Sequence, residues 1–407
     1  MSSSPKPPSP IPVAHRVAGF TYAIRNIVAE AKKVEAAGRT VKYLNIGDPI
    51  PFGFKTPPHL VAAVERALDD GQNGYGPSPG IQGAREAVAA DYTARGVPTT
   101  ADRVILTSGT SEGIEIALNA LANPGDEVLV PMPTYPLYTA VTAKIEAKAV
   151  FYRKDPQHGW LPDLDHIRSL ITPRTRALVV IDPNNPTGAV YPTETRRELI
   201  ALAERHGFVL LADEVYGDLA YDGPTPAMAA LDQEAPVISF GSLSKAYIAP
   251  GWRAGWMAVG ASPRLADVTA AIKKLEDGRL CATVPMQYAI TAAMTGDRSH
   301  QVAFRAALRE RADLTIRRLN AIPGMSCVAP RGAFYAMPKV TLPPGRTDEE
   351  YVLALLREGG VLCVHGSGFG TAHGDGFFRV VFLASPAELS AIYDTMEAFT
   401  KEYLARG

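Results

Sequence analysis

Short apolar runs recur through the middle of the chain, each closed by a polar or Gly/Pro-rich break. They are Val104-Ile105-Leu106-Thr107, Val128 to Val130, Ala149 to Tyr152, Ala177-Leu178-Val179-Val180-Ile181, Phe208-Val209-Leu210-Leu211-Ala212, Val237 to Phe240 and Trp256 to Val259. Runs of this length that are apolar at successive positions fit strands of a parallel sheet buried on both faces. Segments with helical spacing lie between them. After Ser111, for example, Ile114, Leu118 and Leu121 share a face, flanked by Glu112 and Glu115. From roughly Pro57 to Gln287 this alternation predicts an α/β fold, a mainly parallel sheet sandwiched by helices. From about Tyr288 the rhythm changes to one long helix through Leu319, then short strands and a final helix. That part reads as a smaller α+β domain, completed by residues before about Gly53. The expected organisation is an arm over 1–20, a small α+β domain from 21–53 and 288–407, and a large domain over 54–287. The arm is rich in Ser and Pro from Ser2 to Pro12 and has no apolar signal core, so it is expected to be mobile rather than a targeting peptide.

Several polar residues sit where these strands end. Lys245 closes Ser239-Phe240-Gly241-Ser242-Leu243-Ser244-Lys245, and Arg253 follows in Pro250-Gly251-Trp252-Arg253-Ala254-Gly255. A lysine in this setting suits a Schiff base with the aldehyde of pyridoxal phosphate, with Ser242 and Arg253 holding the phosphate. The strand Phe208–Ala212 runs into Asp213-Glu214-Val215-Tyr216, so Asp213 points into the crevice where α/β sheets bind ligands. Asp213 is suited to keeping the cofactor's ring nitrogen protonated, and Tyr216 to reaching the ring's phenolic oxygen. Ala177–Ile181 breaks into the rigid turn Asp182-Pro183-Asn184-Asn185-Pro186-Thr187-Gly188, where the amide of Asn185 can serve both ring oxygen and substrate carboxylate. Val104–Thr107 enters Ser108-Gly109-Thr110-Ser111 and then a helix, a turn whose free N–H groups suit an anion. Singly, each feature is ordinary: a lysine is usually solvated, a strand-end Asp often caps a helix, and Asn-Pro-Thr-Gly is a turn. Their order along one chain carries the reading.

Together these residues resemble the fold type I, class I/II pyridoxal-phosphate aminotransferases from about Tyr22 to the C-terminus. Within them the chain is most similar to the bacterial alanine (glutamate–pyruvate) branch. The stretches that carry this are Leu44-Asn45-Ile46-Gly47-Asp48-Pro49 with Pro51-Phe52-Gly53-Phe54, then Pro133-Thr134-Tyr135-Pro136-Leu137-Tyr138, and Asp182 through Tyr191. The resemblance implies that Tyr135 stacks on the cofactor ring. It implies a homodimer in which Tyr75 reaches the partner's cofactor phosphate and the N-terminal arm packs on the other subunit. Gly47 matches a glycine whose backbone approaches the substrate, and Arg379 the arginine that grips the α-carboxylate with a bidentate fork. The implied reaction is a ping-pong transfer of an amino group between an L-amino acid and a 2-oxoacid, alanine/glutamate and pyruvate/2-oxoglutarate being favoured. Two positions depart from the usual pattern: His365 stands where relatives carry Pro, and Asp182 where Asn is commoner. Both are expected to be neutral for the chemistry.

Composition narrows this only a little. At 407 residues, 46% hydrophobic and 20% charged, the chain is that of an ordinary soluble enzyme. A formal net charge of −1 makes no case for nucleic acid or an anionic membrane surface, and no apolar run has the length of a membrane span. Cys281, Cys327 and Cys363 are scattered without metal-ligand spacing, so no metal is expected and a reducing cytoplasm is the simplest location. The same residues also suit an aromatic, branched-chain or broad-specificity aminotransferase, or a carbon–sulfur lyase. A transcription regulator on this fold is not expected, since it would add a basic helix-turn-helix segment. For a second substrate carboxylate the candidate cations are Arg25 and Arg279, neither anchored by a motif.

Overall fold

The computed structural model of the protein describes residues 11–18 and 23–406, with side chains over 11–17 and 27–406. Much of the expected arm, and the side chain of Arg25, therefore lie outside the described residues. The core is an eight-stranded sheet. Its strands are β1 (Val104–Ser108), β2 (Glu127–Met132), β3 (Lys148–Asp155), β4 (Leu161–Pro162), β5 (Thr175–Ile181), β6 (Val209–Asp213), β7 (Val237–Ser242) and β8 (Ala254–Val259). Their order across the sheet is β1-β8-β7-β6-β5-β2-β3-β4. The run β7-β6-β5-β2-β3 is parallel, while β8 is antiparallel to both of its neighbours and β4 is antiparallel to β3.

The continuous apolar runs have the meaning expected of them. Along β5 and β6, Leu178, Val180, Leu210 and Ala212 pack into one core, while Ala177, Val179, Ile181 and Leu211 pack into the core on the opposite face. Both faces are dry because helices cover both. Burying each of the Val, Leu and Ile side chains contributes roughly 1.5–3 kcal/mol. No helix of the described residues is long and apolar enough to cross a membrane.

The single helix expected from Tyr288 to Leu319 is instead two, Val284–Thr295 and Ser299–Ala321. Gly296 ends the first, and Asp297 starts the second by accepting from the Ser299 N–H at 2.9 Å. Gly at a helix end and Asp before the next one are the usual local signals, here within one apolar pattern. The first of these helices packs on Pro58–Asp69 and Gln82–Ala94, the second on the C-terminal helix Pro386–Ala405. A short strand, Lys42–Tyr43, pairs in parallel with Val361–Leu362, and the Val381 N–H donates to the Leu44 carbonyl. The segment that contains Gly47 is thereby tied to the strand Phe378–Val381, which carries Arg379.

Candidate active site

Register within the sheet brings the sequence-derived residues together. Asp213, the last residue of β6, lies between Ile181 of β5 and Phe240 of β7. Ser242 pairs with Gly255, and Ser108 with Ala254, so the turns leaving β1 and β7 meet across the start of β8. A cavity of about 520 Å³ opens at this end of the sheet. Lys245, Asp213, Tyr216, Asn185, Tyr135 and Arg379 face it, as do Gly47, Thr110, Ser242 and Arg253. Tyr75 does not: it is 86% exposed on the protomer surface.

At one end of the cavity is a cradle for an anion. Gly109 precedes the helix Thr110–Leu121 with φ +76°, a backbone conformation natural to glycine. A Cβ on Gly109 would lie 2.2 Å from Arg253 Nη2, so only glycine lets the guanidinium close over the turn. Arg253 Nη1 donates to the Pro250 carbonyl at 2.9 Å, and Thr110 Oγ1 donates to the Gly241 carbonyl at 3.2 Å. A helix N-terminus, two hydroxyls and a guanidinium form a donor set that fits a phosphate.

Asp213 is buried and has neutral hydrogen-bond donors. Tyr138 Oη donates to its Oδ2 at 3.0 Å and the Val215 N–H to its Oδ1 at 3.4 Å. Burial raises its carboxyl to about 6, opposed by the Tyr138 hydroxyl, the Val215 N–H and Lys245. A desolvated carboxylate of this kind favours a cationic partner, which a protonated pyridine nitrogen would provide. Lys245 Nζ donates to the Gly47 carbonyl at 2.6 Å and lies 5.7 Å from the Phe334 ring centre. Burial lowers its amine to about 8; Asp48 opposes this, and Arg379 and Arg253 add to it. Lys245 thus has a substantial neutral fraction near physiological pH, as a nucleophile and proton carrier requires.

The third cluster centres on Arg379, which is 2% exposed. Its Nη1 donates to Asn185 Oδ1 at 3.0 Å and its Nη2 to the Asn45 carbonyl. The guanidinium is sandwiched between Tyr335 and Phe369, 4.8 and 4.7 Å from the ring centres. With its oxygen taken by Arg379, Asn185 presents its amide nitrogen as a donor. Stacked rings and fixed acceptors leave the guanidinium little freedom, which suits a carboxylate clamp. Tyr216 and Tyr335 share a hydrogen bond of 2.8 Å between their hydroxyls. Burial pushes the Tyr335 phenol up to about 12 and that of Tyr216 further above its ordinary range. A Cβ on Gly47 would fall 2.1 Å from Tyr335 Oη and 2.7 Å from the Phe334 ring. The glycine is therefore needed for packing against these rings as well as for open space above them.

Three contributors were not singled out from the sequence: Tyr138, Tyr335 and Phe369. Tyr138 stands one helical turn after Tyr135, a spacing that could have marked it. Tyr335 arrives from a short C-terminal strand with no motif of its own, and Phe369 from the Ser367-Gly368-Phe369-Gly370 turn, a stretch of the family pattern to which no role was attached. Of the departures from pattern, Asp182 pairs with Arg196 at 2.6 Å in a buried bridge, and His365 Nδ1 lies 2.7 Å from Ser367 Oγ. Arg279 bonds Glu112 and the Ser78 and Leu106 carbonyls, away from the cavity.

The sequence profile of aminotransferase class I and II matches residues 40–394. The chain is 39% identical to the glutamate–pyruvate aminotransferase of Escherichia coli over 403 residues, covering 97% of this chain and 99% of that one. It is 40% identical over 393 residues to the alanine aminotransferase of Mycobacterium tuberculosis, covering 94% and 91%. Among solved structures, the alanine aminotransferase of Pyrococcus furiosus superposes with a TM-score of 0.93 at 40% identity, covering 96% of this chain and all of the other.

Proposed function

Because the chain belongs to the class I and II aminotransferases, we propose that it exchanges an amino group between L-alanine or L-glutamate and the 2-oxoacids pyruvate and 2-oxoglutarate. The carrying observation is the meeting of Lys245, Asp213 and Arg379 in one cavity. Pyridoxal 5′-phosphate, the family's cofactor, supplies when bound an aldehyde that captures the amino group and a ring that accepts the Cα electrons. The residues fit it: Thr110, Ser242, Arg253 and the helix behind Gly109 for the phosphate, Tyr135 against the ring, Asp213 at the ring nitrogen, and Tyr216 and Asn185 at the ring oxygen. Lys245 Nζ is the attachment point and, once free, takes up the Cα proton and returns it. Arg379 holds the substrate carboxylate with the Asn185 amide beside it, which turns the Cα–H bond toward Lys245. Binding energy from this distant carboxylate orients the reacting bond.

The cavity supports a small donor. Its cations among the described residues are Lys245, Arg253 and Arg379, each with a role above, and Val28, Ile46 and Leu137 add apolar wall. A methyl side chain needs no polar partner there. Relatives named for alanine and for glutamate–pyruvate support the same choice. Arg279, engaged elsewhere, is not assigned to glutamate's second carboxylate. We extend the reading to a cytoplasmic homodimer in which the exposed Tyr75 reaches the partner's phosphate cradle. The three cysteines, all free, agree with a reducing compartment.

A half-reaction panel tests the substrate. The cofactor-loaded protein is mixed with alanine, glutamate, valine, methionine, tyrosine or aspartate without oxoacid, and loss of its visible absorbance is timed. Fastest loss with alanine and glutamate is expected. Faster loss with tyrosine or methionine would move the enzyme to another branch, and ammonia release from a sulfur amino acid would make it a lyase. The pH dependence of cofactor capture tests Lys245 separately. Only the neutral amine attacks an aldehyde, and its pKa is lowered to about 8. Uptake by the apoprotein should therefore rise about tenfold per pH unit below that value and level off above it. A rise continuing to the ordinary lysine range would contradict the burial argument.

A further inference from the structure

Lys154 lies near the end of β3, which is separated from Asp213's strand by β5 and β2, and is 4% exposed. Its Nζ donates to Asn184 Oδ1 at 2.6 Å. Among the described residues no carboxylate pairs with it, and burial pushes its amine well below the usual lysine range. A buried ammonium or amine held only by a carboxamide is an unfavourable arrangement that packing alone does not call for.

The oxygen it grips is the hub of the turn before Asn185. Asn184 Oδ1 also accepts from Thr187 Oγ1 at 2.8 Å and the Thr187 N–H at 3.3 Å, while Asn184 Nδ2 donates to the Ile181 carbonyl at 3.1 Å. The Asn184 N–H reaches the Ala189 carbonyl at 2.8 Å. Arg196 pins the start of the turn through Asp182. Lys154 is the side chain from another strand that pins its middle, one residue before the amide that meets Arg379.

We propose that Lys154 is a positioning residue for substrate carboxylate binding: by holding Asn184 it sets where the Asn185 amide stands beside Arg379. The inference rests on the reading of Arg379 and Asn185 as the carboxylate site. Lys154 touches neither substrate nor cofactor, so its effect appears in affinity for the carboxylate rather than in the proton transfer.

The test compares Lys154→Met with wild-type holoenzyme, using L-alanine as substrate and propionate as a non-reacting carboxylate. KM for alanine and the inhibition constant of propionate should rise together by about tenfold, with kcat within about twofold and cofactor content unchanged. Unchanged constants would overturn the proposal. So would a fall in kcat and cofactor content without a change in propionate affinity, which a general structural role predicts. If Lys154→Met does not fold, Thr187→Val removes another donor from the same oxygen and should shift both constants the same way by about threefold; no shift would overturn the proposal. Arg379→Lys separates the two levels. If it leaves propionate binding intact, the carboxylate site itself is misread; if it weakens binding while Lys154→Met does not, only the role of Lys154 fails.

Discussion

Lys245→Ala should reduce turnover by about 10⁴-fold or more, because on the proposed reading one substitution removes both the covalent anchor and the proton carrier. Each function alone is worth orders of magnitude, and residues that act as a unit do not lose their contributions additively. The variant should still fold. Among the described residues the Lys245 side chain makes one hydrogen bond, to the Gly47 carbonyl, and alanine there removes a buried amine rather than a piece of apolar core. Single-turnover mixing with alanine measures the loss, with thermal unfolding as the control for integrity. Turnover near the wild-type level, with folding intact, would remove Lys245 from the mechanism.

The second large effect is expected at Asp213. Asn at this position keeps the shape and one oxygen, which can accept from the Tyr138 hydroxyl as Oδ2 does now, but it gives up the second acceptor that meets the Val215 N–H and cannot carry the charge. Removing one partner of a buried ion pair costs about 3–5 kcal/mol. At about 1.36 kcal/mol per decade, Asp213→Asn should slow Cα-proton exchange roughly 10²- to 10⁴-fold. Exchange of the alanine Cα hydrogen for deuterium, followed by NMR on the cofactor-loaded variant, isolates this step from product release. An unchanged exchange rate would mean that Asp213 does not sustain the electron sink. Cofactor content should fall less than exchange does, since Thr110, Ser242, Arg253 and Lys245 remain.

Much of this was legible because strand ends and chemistry coincide. Asp213 and Asn185 follow runs apolar enough to mark buried parallel strands, and such strands deliver their C-terminal ends to one side of the sheet. Lys245 and Arg253 belong to the same logic around β7 and β8. The antiparallel direction of β8 was not legible, since Trp256 to Val259 is as apolar as the sheet's parallel strands and burial pattern carries no sense of direction. Tyr335 and Phe369 escaped for a different reason. Tyr335 reaches Arg379 through a three-stranded sheet of very short strands, and Phe369 through the 3-10 turn Gly366–Phe369 that follows one of them; such pairing is a tertiary outcome with too few residues to show a period. The break at Gly296 was local and visible in principle, but the apolar spacing on either side continues across it. The roles expected of Tyr75 and the arm depend on the proposed second subunit, which one chain does not contain.

The sheet's strand order has a consequence for how the protein comes into being. β1 is the first of its strands to be synthesised, yet its one neighbour in the sheet is β8, the last. A growing chain therefore carries Val104–Ser108 unpaired until Val259 has left the ribosome. At roughly 5–20 residues per second that interval lasts many seconds, during which an apolar edge is open to pairing with other chains. The proposed phosphate cradle, built from Gly109 on one side of this late junction and Arg253 on the other, cannot exist before it closes. Cofactor capture consequently reports completion of the sheet, and a ligand that binds only the finished form pulls assembly forward by mass action.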